Sequence, residues 1–184
     1  MAMKQTVFPW LKETAHAVLS EDRVYRYVLY RSLDGESWNA PTLGRRTVCF
    51  IMLNPSTADE SANDPTIEKL MKYGRAWGFQ RLAVVNLFAY RETDSRKLRS
   101  LASTRDLVGP LNDEHILMVT RSASKIVCGW GNEGEILGRG ALVARTLQER
   151  YGQESPLWCF KKSLKGQPVH PLYQLDAAEL VEFR

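Results

Sequence analysis

From residue 47 onward, short continuous apolar runs alternate with longer stretches whose apolar residues recur every three or four positions. The runs 47–53, 82–88, 125–129 and 157–160 do not alternate with polar residues, as expected of strands buried on both faces. Between the first two, the pattern predicts a helix over 65–77. Asp64 is its N-cap, Pro65 its first helical residue and Gly78 its exit, with a stripe of Ile67, Leu70, Met71, Gly74 and Trp77. A polar loop over 91–100 leads to a helix near 110–121. A further helix from about 135 to 151 is striped by Leu137, Ala141, Ala144 and Leu147. Earlier, a short helix candidate precedes residue 24, and 24–31 alternates as a strand that joins antiparallel, at an edge or as a hairpin. Residues 32–46 are rich in turn formers and read as a long turn. The order strand, helix, strand, helix, strand, helix, strand predicts an α/β fold with a mostly parallel sheet covered by helices on both faces.

The length of 184 residues fits one domain spanning 1–184, and 44% hydrophobic with 25% charged residues excludes a disordered chain. No apolar run approaches the roughly 20 residues needed to span a bilayer. The first residues lack the pattern of a secretory signal, so no membrane association is expected. Cys49, Cys128 and Cys159 each lie in an apolar run, as small buried hydrophobes would, and suggest a reducing, cytoplasmic setting. No C-x-x-C pair occurs and the three His are scattered, so no metal site is expected. A net charge of +4 is compatible with a polyanionic partner without demanding one.

Open parallel sheets bind ligands beyond the carboxyl ends of their strands. There this chain places Asn54-Pro55-Ser56-Thr57-Ala58-Asp59, then Asn86, Phe88, Tyr90 and Arg91, then Gly129-Trp130-Gly131-Asn132. Last come Lys161, Lys162, Lys165 and the segment Val169-His170-Pro171-Leu172-Tyr173. Amides, an imidazole, aromatics and cations converging on one rim predict a binding or catalytic cleft. Each has a plainer alternative: Asn54 as a turn residue, Asp64 as a cap, Phe88 and Trp130 as core aromatics, His170 as a structural imidazole, the lysines as a solvated face. Asn86 is more informative, because an amide inside an apolar strand must find partners or be held for a ligand. Residues 129–134 match G-x-G-x-x-G but follow the third buried strand, and no acidic residue closes the next one, so no nicotinamide cofactor is expected. Phosphate-loop and nucleophile-elbow motifs are absent.

The segments FIMLNPSTAD, NDPTI, VVNLFAYR, GPLND, VCGWG and HPLY, with a helix ending in WG, resemble the domain of unknown function 1643 family from about Tyr27 to Tyr173. More distantly, Asn54-Pro55 after the first core strand, Asn86 with Arg91, and His170-Pro171 after the last core strand resemble the uracil-DNA glycosylase superfamily. That second resemblance implies a three-layer α/β/α sandwich with a central four-stranded, mostly parallel sheet plus an N-terminal edge strand. It also implies DNA as partner, no cofactor, and specific roles. Asn54 would hold the attacking water, His170 would stabilise the departing base, and Asn86 would read its edge. Pro55, Ser56, Phe88 and Trp130 would line the base, and Arg91, Lys161, Lys162 and Lys165 would meet phosphates. The chain lacks that superfamily's Asp-Pro-Tyr version of the first motif and its Ser after His-Pro. Asp59 is then the nearest acidic candidate for a general base. The expected activity is hydrolysis of the N-glycosidic bond of a damaged or modified base, with a modified phage base one candidate and phage defence one setting. A non-catalytic nucleic-acid-binding module and a nucleotide- or nucleoside-processing hydrolase are the alternatives.

Overall fold

The computed structural model describes residues 14–37, 46–152 and 156–183. Its strands are β1 (Ala15–Leu19), β2 (Arg26–Ser32), β3 (Thr47–Met52), β4 (Arg81–Asn86), β5 (Lys125–Cys128), β6 (Leu157–Cys159) and β7 (Val181–Glu182). The helices are α1 (Pro65–Ala76), α2 (Leu98–Leu101), α3 (Asn112–Ser122) and α4 (Arg139–Tyr151). All the strands form one seven-stranded mixed sheet, ordered β1-β2-β4-β3-β5-β6-β7. The four apolar runs are its parallel centre, while β1, β2 and β7 add antiparallel pairings at its two sides.

The sheet is therefore larger than the four strands and one edge strand expected. The alternating segment does not end the sheet, because β2 pairs with β4 on one side and with β1 on the other. The stretch expected to hold a short helix contains β1, and its residues 1–13 lie outside the described residues, as do 38–45 of the expected long turn.

Alternation along β3 divides the core. Val48, Phe50 and Met52 pack in one apolar cluster with Ile67, Leu70, Met71 and Tyr73 of α1. Cys49 and Ile51 face the other cluster, with Ile116 and Val119 of α3 and Val143, Ala144 and Leu147 of α4. Helix α1 begins as the sequence predicts, with the Asp64 carboxylate accepting from the Ile67 amide at 2.9 Å. The loop expected over 91–100 instead contains a 3₁₀ turn, Ser95–Lys97, capped by Asp94, running into α2. Helix α4 starts later than the stripe suggests. Leu137 (φ 53°) and Gly138 (φ 63°) are left-handed, which ends the preceding 3₁₀ turn and leaves Leu137 two-thirds exposed.

Candidate functional site

A cavity of about 200 Å³ opens beyond the carboxyl ends of β3 and β4, on the face covered by α1. Met52 and Val84 line it together with Arg26, Asn54, Asp64, Asn86 and His170. Strand register sets the amide spacing: Met52 lies opposite Asn86 in the parallel β3–β4 pair, and Asn54 follows Met52 by two residues.

Asn86 is 1% exposed, and neither its Oδ1 nor its Nδ2 has a hydrogen-bond partner. Leaving a buried polar group unpaired costs about 1–3 kcal/mol. Its backbone is fixed from the opposite face, where the buried Asn112 amide donates to the carbonyls of Asn86 and Leu87 at 3.0 and 3.1 Å. Arg139 adds a bond from Nε to the Leu87 carbonyl at 3.0 Å.

Asn54 is oriented by its own loop and the next one. Its Nδ2 donates to the carbonyls of Glu92 (2.7 Å) and Pro55 (3.1 Å), so Oδ1 is the end left to accept from a ligand.

His170 is half-buried and caps the 3₁₀ turn Pro171–Tyr173. Its Nδ1 accepts from the Leu172 amide at 3.3 Å, which places the ring proton on Nε2. Burial lowers its pKa, with the Asp64 charge opposing, so the ring is a neutral Nε2–H donor near pH 7. The strap that carries it is pinned at several points. Pro171 lies so close over the end of β5 that a Cβ on Gly129 would fall 2.7 Å from it. The Tyr73 hydroxyl on α1 sits 3.0 Å from the Leu175 carbonyl, and Asp176 pairs with Lys69 and Lys72.

Arg26 and Asp64 complete the cleft. The Arg26 side chain, 2% exposed, donates from Nη1 to the Ala58 carbonyl at 2.6 Å, while its Nε has no partner. Burial brings its pKa down to about 10, against the raising influence of Asp64, so it stays cationic at neutral pH. Asp64 spends one oxygen on the α1 cap and lies at the cavity wall.

Of the expected site residues, the cavity gathers Asn54, Ser56, Asn86 and His170. Asp59 is elsewhere: its carboxylate closes its own loop, accepting from the Ser61 amide and hydroxyl and the Ala62 amide, with Arg23 at 3.9 Å. Pro55 is buried behind the cleft and accepts from the Glu92 amide. Phe88 is a fully buried core ring on the opposite face of the sheet.

Trp130 belongs to that same core, stacks edge-on to Phe183 and donates to Gln167 at 2.9 Å. Gly134 of the G-x-G-x-x-G segment makes room for this indole, since a Cβ there would lie 2.1 Å from Trp130 Cδ1. Arg91 reaches the Arg23 carbonyl outside the cavity. Lys161, Lys162 and Lys165 are exposed on a hairpin closed by a Lys162–Pro168 bridge, with Lys165 on Glu135.

Arg26 and Asp64 are the cleft residues that sequence reasoning passed over. Asp64 had an obvious capping role, and Arg26 was one cation in an alternating strand. No group of three or more His, Cys, Asp or Glu side chains among the described residues is placed to hold a metal ion. Nor is any helix among them long and apolar enough to cross a membrane.

An α/β chain with a polar cleft at the carboxyl ends of parallel strands is thus defined. The family described as "Protein of unknown function (DUF1643)" matches residues 26–172, and the chain belongs to it. Among curated proteins and solved structures nothing matches.

Proposed function

We propose that this protein is a DNA glycosylase-like enzyme that hydrolyses the N-glycosidic bond of a damaged or modified base. The reading treats the parallel strands and their two helix-covered faces as a three-layer α/β/α core of the uracil-DNA glycosylase kind. The observation that carries it is the buried Asn86 amide, unpaired at both ends, in one cavity with Asn54 and the His170 Nε2–H. An amide offers one donor and one acceptor side by side, which suits the hydrogen-bonding edge of a flipped base.

The chemistry follows from these groups. The C1′–N bond breaks with its electron pair leaving on the base, and water adds to the resulting oxocarbenium-like sugar. Asn54 Oδ1 orients that water, and Asp64, rather than Asp59, is the carboxylate at hand to accept its proton. His170 Nε2–H donates to the departing base as negative charge develops there. One preorganised donor of this kind contributes about 10²–10³ in rate. The lysine hairpin after β6 supplies phosphate contacts as the flipped nucleotide enters.

The test is incubation with DNA carrying a panel of modified bases and mass spectrometry of the released base. Wild-type protein releases one of them, His170→Ala slows release by about 10²–10³, and the Asn54→Ala, His170→Ala double variant releases none. Release by the double variant at the wild-type rate, or no release by wild type from any substrate, rejects the reading.

A further inference from the structure

Three guanidinium groups lie near enough to feel one another's charge, with Arg26 in the cleft wall. Arg26 (2% exposed) and Arg31 (3% exposed) come from β2, and Arg91 from the loop after β4. Among the described residues none of the three forms an ion pair. Buried charges are ordinarily paired, because removing an ion from water is costly.

Arg31 is accounted for. Its nitrogens are spread over the carbonyls of Tyr30, Asp59 and Ala62 and the Asn63 side chain, fastening the 59–63 loop to β2. Arg26 is not. One nitrogen holds Ala58, Nε is buried and unpartnered, and the residue lines the cavity that Asn86 also lines. Arg31 and Arg91 add positive charge around it, and Asp64 and Asp59 add negative charge. The acids that line the cavity face elsewhere with at least one oxygen each: Asp64 on the Ile67 amide and Glu92 on the Asp94 amide.

We propose that Arg26 is a specificity-determining residue of this cleft, and that the ligand presents to it an oxyanion group, carboxylate or phosphate, adjoining the edge read by Asn86. The proposal rests on the base-recognition reading of the cavity and narrows it. A planar fork of N–H donors matches a carboxylate or phosphate in two-point contact, and such charge-assisted bonds are about twice as strong as neutral ones. A cavity of about 200 Å³ admits one base-sized group with a small substituent, not a base pair. Part of the free energy of an unpaired, buried guanidinium is then recovered only when the right ligand enters, so discrimination is built into the empty site.

The test is titration of the full chain by calorimetry with paired probes: uracil against orotate for a carboxylate on the base, and uridine against uridine monophosphate for a phosphate. Inorganic phosphate alone is the fifth probe. The anionic member of at least one pair binds about tenfold or more tighter than its neutral partner, which is about 1.4 kcal/mol. Arg26→Gln removes that advantage and leaves the neutral member's affinity within about threefold. Arg26→Lys, which keeps the charge, retains part of it, and serves if the Gln variant does not fold.

The melting temperature gives an independent readout: the anionic probe that binds raises it in wild type and not in Arg26→Gln, whatever that variant loses with the Ala58 bond. Equal affinity within both pairs, or an advantage that survives Arg26→Gln, overturns the proposal, as does the binding of no probe. Failure of the base-recognition reading looks different. If inorganic phosphate binds through Arg26 while no base or nucleoside binds, the anion site stands and the glycosylase reading falls. If uracil binds in an Asn86-dependent way with no anion preference, the reverse holds.

Discussion

The ends of β4 and β5 lie on either side of β3 in one sheet and carry Asn86 and, two residues beyond β5, Trp130. They differ in what they lack. The Trp130 indole is filled in on every side: its N–H is on Gln167, its ring against Phe183, and glycines at 134 and 140 leave it space. Asn86 is equally buried and has a partner at neither end of its amide. A buried polar group that the fold satisfies is scaffold, and one left unsatisfied in a cavity wall is a candidate for contact with a ligand.

Trp130→Ala separates the two most sharply. Emptying that space costs about 3–5 kcal/mol of stability, measured by denaturant unfolding, and displaces the strap bearing His170 by way of Gln167. Asn86→Leu reverses the pattern. Removing an unpaired amide leaves stability equal or raises it by about 1–3 kcal/mol, while base release falls to the limit of detection. A large loss of stability in Asn86→Leu would erase the contrast.

Asp64 and Asp59 extend the comparison to two carboxylates of one loop. Asp64→Asn keeps the cap, since Asn is as good an N-cap as Asp, yet slows base release by about tenfold or more. Asp59→Asn stays within about threefold in the same assay, because its carboxylate only closes the loop.

The smallest effect is in pH. Burial lowers the pKa of His170 and of His115. The unfolded chain therefore takes up protons near pH ~6.5 before the folded one does. The stability held above that pH is lost as the pH falls toward the depressed folded values. Melting temperatures measured across this range fall less steeply in His170→Gln than in wild type, with the remaining slope belonging to His115.

The parallel centre and the α1 cap were legible because they are local: an unbroken apolar run, or Asp-Pro at a helix start, carries its meaning within a few residues. Asn86 was legible for the same reason, as the one amide in such a run. Arg26 was not, because its position beside Asn86 depends on β2 pairing with β4, some fifty residues away. The choice between Asp59 and Asp64 depends on Arg31 fastening the intervening loop, another long-range contact. The glycines at 129 and 134 mislead for a simpler reason: the same residue admits a close phosphate, a proline ring or an indole, and only the neighbour tells which.

The two halves of the cleft are not equally durable. Asn86 ends an innermost strand, and Asn54 lies two residues beyond another, held by bonds to the Pro55 and Glu92 carbonyls. The imidazole rides on a strap clamped by a tyrosine hydroxyl and by lysine pairs to Asp176, whose carboxylate is half exposed and open to screening. Concentrated salt or mild warming should free the strap first. On the glycosylase reading, the cleft would then keep its two amides and lose the imidazole donor aimed at the departing base.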